Sequence, residues 1–302
     1  MSIPDPPSAD RLSAASKRPS GPGSTFNSSA TTPAATYAAL RGSKDALPAA
    51  RAAGEELNKA LGGVVDQVTR ENALALGRAV RYAAEQGHTL FADLGGGIPI
   101  QRSDSWGLPD LYAVASGVQP GLRWLLVDSD ELAILYGRAL VGRNPDVHVE
   151  WEDLRQPAKV LHLLDLHLGV KQKIVCVLGA VLHFMTDRQA ATLVSALYEH
   201  LVPGSLIFAT HVTRTGLPPE MAERGKEVYE RLNGVEIHLR TEEEITAMAG
   251  PFEIKPPGVV RTIDFMPPQE GPAPEEAPHF LMWMAERLPD ETGAQPPAER
   301  SV

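Results

Sequence analysis

Short apolar runs of β-type residues alternate with helical patterns through the middle of this chain. Such alternation predicts a parallel sheet covered by helices on both faces. The β-type runs cover residues 90–94, 123–127, 147–151, 174–178 and 205–210. The helical patterns cover residues 64–86, 109–118, 132–141, 188–201, 219–232 and 241–249. Two further runs at 252–255 and 280–286 are placed to form an antiparallel pair, so the sequence predicts a Rossmann-like, doubly wound α/β domain with seven strands.

Composition supports one globular domain between polar ends. The 302 residues are 43% hydrophobic, which is enough apolar material for a full core. Residues 1–35 are rich in Ser, Pro, Ala and Gly and cannot offset the entropy of ordering, so they are predicted to form a disordered arm. The segment 289–302 is predicted to be a flexible tail and residues 267–278 a loop. The domain itself is expected to span residues 36–288.

Charge and cysteine content exclude several classes of protein. A net charge of −10 without a basic cluster argues against a nucleic-acid partner and favours a small-molecule substrate. The single cysteine, Cys176, lies in an apolar run, which excludes an internal disulfide and suits a reducing compartment. No run approaches the roughly 20 apolar residues of a membrane helix. We therefore expect a cytoplasmic protein with no membrane partner.

A glycine cluster follows the first predicted strand. Asp93 and Leu94 lead into Gly95, Gly96 and Gly97, where a backbone without side chains can approach a ligand closely. The third glycine of a dinucleotide fingerprint is absent, because residues 98–100 read Ile-Pro-Ile, and residues 101–108 delay the next helix. The pattern favours a cofactor without a pyrophosphate. A tight turn that needs no ligand is the alternative.

Acidic residues follow the next two strands. Asp128 can accept hydrogen bonds from both hydroxyls of a ribose, whereas Asp130 is predicted to cap the following helix. Asp153, after the third strand, can accept from the amine of an adenine. The alternatives are a capping role for Asp128 and a surface position for Asp153. Asp93, Asp128 and Asp153 are nevertheless predicted to meet at one edge of the sheet, which indicates a nucleoside-like site.

Two histidines follow the fourth and fifth strands at the same edge. His183 comes after Gly179 and Ala180, and His211 ends the fifth strand. Either imidazole can accept a substrate proton near neutral pH, and we favour His183 as the base. For His183 the alternative is a hydrogen-bonded structural role, and His211 is the second candidate base. Two histidines without a third ligand make a weak zinc site, so no metal is predicted.

A set of short motifs runs along the whole domain. They are segments 37–45 (YAALRGSKD), Asn72 with 78–82 (RAVRY), 93–99 (DLGGGIP), 127–130 (VDSD), 152–155 (EDLR), 180–183 (AVLH) and 210–211 (TH). Taken together, they resemble an actinobacterial S-adenosyl methyltransferase family, SAM methyltransferase type 19, once catalogued as a domain of unknown function. The resemblance spans residues 37–288.

The resemblance implies a class I methyltransferase fold with strand order 3-2-1-4-5-7-6 and S-adenosylmethionine as cofactor. It implies that the cofactor lies over Gly95 to Gly97, with Asp128 on the ribose and Asp153 and Leu154 beside the adenine. The remaining residues expected at the cofactor are Asp93, Ser129, Gly179 and Ala180. An N-terminal helical lid over residues 36–88 would contribute Tyr37, Lys44, Asp45 and Asn72. The alternatives are a solvated charge pair for Lys44 and Asp45 and a helix cap for Asn72.

The resemblance thus implies methyl transfer to a small molecule, with an acceptor from secondary metabolism expected and a homodimer left open. A second hypothesis is a protein that binds S-adenosylmethionine without transferring its methyl group, as a structural aid, for another reaction or as a sensed ligand. Product formation would separate the two. A third, a nicotinamide oxidoreductase, is disfavoured by the missing glycine and would be revived by NADH binding.

Overall fold

A computed structural model describes residues 31–100, 110–265 and 279–290 of the chain. Its helices are α1 (Pro33–Leu40), α2 (Pro48–Ala60), α3 (Val65–Glu85), α4 (Leu111–Ser116), α5 (Glu131–Leu140), α6 (Pro157–Leu168), α7 (Asp187–His200), α8 (Pro219–Asn233) and α9 (Glu242–Ala247). Its strands are β1 (Leu90–Leu94), β2 (Arg123–Asp128), β3 (Val147–Trp151), β4 (Val175–Gly179), β5 (Leu206–Val212), β6 (Glu253–Ile254), β7 (Val260–Arg261) and β8 (Phe280–Glu286). Short 3₁₀ turns occupy Leu182–Phe184 and Thr262–Asp264.

The strands form one sheet in the order β3-β2-β1-β4-β5-β8-β6, with β7 paired to β8. Strands β1 to β5 run parallel to one another, and β8 pairs antiparallel with β5, β6 and β7. The carboxyl ends of β1 to β5 consequently meet at one edge, which is where open α/β sheets bind their ligands.

Alternate strand residues build two separate cores. On one face Ala92, Leu125 and Cys176 pack with α6, α7 and α9. On the other face Phe91 and Trp124 pack with α3, α4 and α5, and their rings stack with centroids 5.3 Å apart. Strands buried on both faces read as continuous apolar runs, which explains the pattern seen in the sequence.

The fold confirms the doubly wound α/β prediction and corrects its details. The sheet has eight strands rather than seven, because β7 adds two residues beside β8. The predicted antiparallel pairing of 252–255 with 280–286 is confirmed by β6 and β8. Helix α6, between β3 and β4, has no counterpart among the predicted helices.

Some sequence predictions fall partly outside the described residues. Helix α1 begins at Pro33, inside the segment predicted as a disordered arm, and residues 1–30 lie outside the description. The predicted loop 267–278, the polar stretch 101–108 and residues 291–302 of the tail also lie outside the described residues. Within the described part of the chain, no helix is long and apolar enough to cross a bilayer.

Candidate active site

A large cavity opens at the carboxyl edge of the parallel strands, with a volume of about 1080 Å³. Its floor is formed by the residues that follow β1 to β4, and its other walls come from α1, α2, α3 and α8. The sequence-predicted residues on this cavity are Tyr37, Asp93, Gly95, Gly96, Gly97, Asp128, Ser129, Asp153, Leu154, Gly179, Ala180 and His183. Sequence reasoning therefore placed most of its candidates around a single space.

The glycine turn after β1 lines the cavity and is also packed tightly against neighbouring side chains. Gly95 has φ +78°, and a Cβ there would lie 2.5 Å from Val181. A Cβ on Gly96 would lie 2.8 Å from the carboxyl group of Asp93. The fold itself therefore requires glycine at the first two positions, whether or not a ligand lies over them. Gly97, with φ +66°, is the least crowded of the three and donates its amide to Asp128.

Asp128 is held in one orientation by backbone amides on both sides. Its Oδ2 accepts from Gly97 N at 2.8 Å and its Oδ1 from Asp130 N at 2.8 Å. Burial raises its pKa, which the two amides partly oppose. Asp130 accepts from Leu132 N at 2.8 Å and caps α5, as predicted. Asp128 therefore does not cap the helix, and each of its oxygens, on the cavity wall, can accept a further hydrogen bond.

The residues after β3 give a mixed result for the adenine prediction. Leu154 is buried and lines the cavity beside Asp153. The carboxylate of Asp153 is engaged by Arg155, whose Nε lies 2.9 Å and 3.0 Å from its two oxygens. Burial alone would raise the pKa of Asp153, but the hydrogen bonds and charge of Arg155 outweigh burial and lower it. An adenine amine would share this carboxylate with Arg155.

Asp93 carries the most perturbed carboxyl group of the cavity wall. It is 7% exposed, and burial, together with the charges of Asp128 and Asp110, raises its pKa to about 7. Arg41, also on the cavity wall, acts in the opposite direction. Asp93 is buried and Asp110 and Asp128 are partly buried, and these three neighbouring acids make this part of the cavity receptive to a cation.

His183 lies on the 3₁₀ turn after β4 and lines the cavity. Its side chain is 4% exposed, its Nδ1 is buried without a hydrogen-bond partner among the described residues, and its ring lies 4.2 Å from that of Phe184. Burial, followed by the charges of His211, Arg240 and His238, lowers its pKa well below the usual value. His183 is consequently a neutral hydrogen-bonding group and a weak base.

His211 is tied into a structural network instead. Its Nδ1 lies 2.6 Å from the carbonyl of Val212 and its Nε2 lies 2.7 Å from a guanidinium nitrogen of Arg240. Because arginine only donates, Nε2 must be the acceptor and the ring must be neutral. Burial lowers the pKa of His211 to about 3. With both nitrogens engaged and no position on the cavity wall, His211 fits a structural role better than the predicted role of a base.

Arg240 is the residue that sequence reasoning missed. It is 4% exposed and also donates to Asp187 at 2.9 Å and to the carbonyls of Leu182 and Met185 at 3.2 Å and 2.7 Å. These contacts fix both ends of the turn that carries His183. No local pattern marks a buried arginine, because its partners come from separate parts of the chain.

The N-terminal helices cover the cavity through specific contacts. Asn72 Nδ2 donates to the Tyr37 hydroxyl at 2.7 Å, and Thr36 donates to Asn233 of α8 at 2.6 Å. Thr32 donates to Asp130 at the start of α5. Helix α1 is thereby bound both to the sheet edge and to α8. Asn72 lies within α3, so the helix-cap interpretation is wrong.

Lys44 and Asp45 do not reach the large cavity. Both are exposed in the connection between α1 and α2, and the Asp45 carbonyl accepts from Tyr136 at 3.3 Å. A contact with a ligand in the cavity would require this connection to move. No group of three or more His, Cys, Asp or Glu side chains arranged for a metal ion occurs in residues 31–100, 110–265 or 279–290.

The fold and this site define a Rossmann-like class I methyltransferase. The chain belongs to the S-adenosyl methyltransferase family, whose model matches residues 20–286, so it is an S-adenosylmethionine-dependent methyltransferase. A candidate methyltransferase from Thermobifida fusca YX is 30% identical, with a TM-score of 0.75 over 86% of this chain and 96% of that one. A DUF574 family protein from Streptomyces avermitilis MA-4680 is 25% identical, with a TM-score of 0.75 over 86% and 98%. A comparison with curated proteins found no match.

Proposed function

We propose that this enzyme methylates a hydroxyl or amino group of a small-molecule acceptor, in keeping with a role in secondary metabolism. The observation that carries the proposal is the single continuous cavity that joins the acid-lined sheet edge to His183. A deep concave space of this kind suits a free small molecule better than a polymer. Helices α1 to α3, which overlap the predicted lid segment 36–88, would act as the lid over it.

We assign the sheet edge to the cofactor. Asp128, oriented by two amides, would accept from the ribose hydroxyls, with Ser129 beside it. The glycine turn, Gly179 and Ala180 would contact the cofactor through backbone, and Leu154 would pack against the adenine. Asp93 would face the cationic amino group of S-adenosylmethionine. Tyr37, which accepts a hydrogen bond from Asn72, keeps its own proton free for a ligand on the lid side.

The charge of this wall supports S-adenosylmethionine over a nicotinamide dinucleotide. Asp93, Asp110, Asp128 and Asp130 all line the cavity and are opposed there by Arg41 and Arg155. A sulfonium and an ammonium are favoured beside carboxylates, whereas a pyrophosphate is repelled. The fit of the residues to the cofactor therefore rests on charge as well as on the shape of the glycine turn.

When bound, S-adenosylmethionine supplies an electrophilic methyl group that already carries the driving force for transfer. The protein's task is to align the acceptor and exclude water. His183 would hold the acceptor's hydroxyl or amine by a hydrogen bond. Because its pKa is lowered, it would orient the acceptor lone pair more than store the released proton, which would pass to solvent.

One observation limits which acceptors can react. His183 is a weak base and His211 has both ring nitrogens engaged, so no strong base faces the acceptor among the described residues. A methyl transfer that needs only alignment is unaffected by this, whereas an acceptor that must be deprotonated first would not react.

The experiment is a measurement of S-adenosylhomocysteine formation with a panel of small hydroxyl and amine acceptors. Wild type should form product with at least one acceptor, Asp128→Ala should fail through weak cofactor binding, and His183→Gln should lower kcat while leaving cofactor binding unchanged. Glu220→Ala, which removes an exposed acid outside the cavity, is the control. Tight cofactor binding without product from any acceptor would favour the non-transferring alternative.

A further inference from the structure

The cavity is larger than one ligand needs. Its volume of about 1080 Å³ exceeds the roughly 300–1,000 Å³ typical of a pocket for one small molecule. The acids described above line only the sheet edge. The remaining space lies between α2, α3 and α8 on one side and the Leu182–Phe184 turn on the other, and we call it the acceptor chamber.

The acceptor chamber has apolar walls. The aliphatic side chains that line it are Leu57, Leu61, Val65, Val68 and Met221. The rings of Phe184 and Tyr229 are stacked at an interplanar angle of 26°, with their centroids 5.9 Å apart. The ring centroid of Phe280 lies 6.2 Å from that of His183. Flat rings beside aliphatic side chains form walls that suit a planar ligand.

The ionisable groups at this chamber are neutral, paired or exposed to solvent. Lys226 lies 3.8 Å from Glu230, and the side chain of Glu236, which lies 4.0 Å from His238, is 66% exposed. Burial raises the pKa of Tyr229 and lowers that of His183, so both side chains are uncharged near neutral pH. A charged acceptor would therefore lose its hydration without gaining a buried counter-charge from the chamber.

We propose that the acceptor is an uncharged ring compound that lies against Phe184 and Tyr229 and presents a hydroxyl or amino group to His183. A neutral imidazole both donates and accepts, so it can hold either group. This inference rests on the proposed function, because it names the acceptor class for the same site. It also identifies α8, through Met221 and Tyr229, as the element that sets acceptor specificity.

The test is a calorimetric titration with three matched probes: 2-naphthol, 2-naphthoate and 2-naphthylmethylammonium. Each is titrated with and without saturating S-adenosylhomocysteine, which prevents turnover. We expect 2-naphthol to bind at least tenfold more tightly than either charged probe in both conditions. Equal or tighter binding of a charged probe, or no binding of 2-naphthol, would overturn the proposal.

Two variants locate the probe. Met221→Lys places a charge in the acceptor chamber and should weaken 2-naphthol binding at least tenfold, whereas Glu220→Gln changes the net charge equally on the outside of α8 and should not. Retained binding of S-adenosylhomocysteine by both variants shows that they fold. If folded Met221→Lys binds 2-naphthol as tightly as wild type does, the ligand does not bind in the acceptor chamber and the proposal is refuted. Failure of wild type to bind S-adenosylhomocysteine would instead contradict the proposed function.

Discussion

Replacing Asp93 by asparagine should stabilise the protein while weakening its hold on the cofactor. Burial, with the charges of Asp128 and Asp110, raises the pKa of Asp93 from 3.8 to about 7. At ~1.36 kcal/mol per pKa unit, this shift corresponds to at most ~4 kcal/mol for keeping the ionised carboxyl in the folded state. Asparagine has nearly the same shape without the charge. We expect it to recover about 1–3 kcal/mol of unfolding free energy at alkaline pH.

The raised pKa of Asp93 determines how the free energy of unfolding changes with pH. The pKa of Asp93 is higher in the folded state than in the unfolded chain, so the folded state binds the proton more tightly. Stability from that proton is complete below pH 3.8 and is lost as the pH rises through about 7. The advantage of Asp93→Asn over wild type should therefore grow across this window and stay constant above it.

Urea denaturation followed by circular dichroism, at several pH values across that window, measures the difference. Glu220→Gln, which neutralises an exposed acid, is the control and should show no comparable trend. Calorimetry on the same variant should show weaker S-adenosylmethionine binding, because the cationic amino group loses its partner. An Asp93→Asn protein that is less stable at every pH, or whose advantage does not change with pH, would refute the reasoning.

Three further predictions concern Ala180, Arg240 and His183. Ala180 has φ +53°, so in urea denaturation Ala180→Val should cost about 1–3 kcal/mol and Ala180→Gly less than about 1 kcal/mol; equal costs would contradict the strain. Arg240→Met should lower the unfolding free energy by roughly 3 kcal/mol or more, because buried acceptors on three residues lose their donor; a loss under about 1 kcal/mol would count against this network. The His183 imidazole should stay neutral throughout a slightly acidic NMR titration, since its pKa is lowered by burial; titration at its usual pKa would contradict its buried position.

The sequence revealed the sheet edge well because each signal there is local. An apolar run that ends in Asp or Gly marks both a buried strand and its carboxyl end, and parallel strands bring those ends together. Asp93, Asp128 and the glycine turn were found in this way. Asp130 was identified as a cap because an acid directly before a helical pattern satisfies free backbone amides.

Other features needed information from distant residues. Strand β7 has only two residues, too few for a periodic pattern, and exists because β8 offers it a partner. Helix α6 has no counterpart in the sequence prediction, although β3 and β4 are parallel strands of one sheet and need a crossover connection between them, a topological argument that predicts a helix there. The roles of Arg240 and His211 depend on residues 29 positions apart, so no local pattern could distinguish a structural histidine from a base.

The most direct test of the account is calorimetric titration of wild type and Asp128→Ala with S-adenosylmethionine, S-adenosylhomocysteine and NADH. The acid-lined sheet edge predicts micromolar binding of both adenosyl ligands to wild type. It also predicts binding at least tenfold weaker to Asp128→Ala, and no binding of NADH. Absence of adenosyl binding, a preference for NADH, or an Asp128→Ala protein that binds as wild type does would contradict the assigned site.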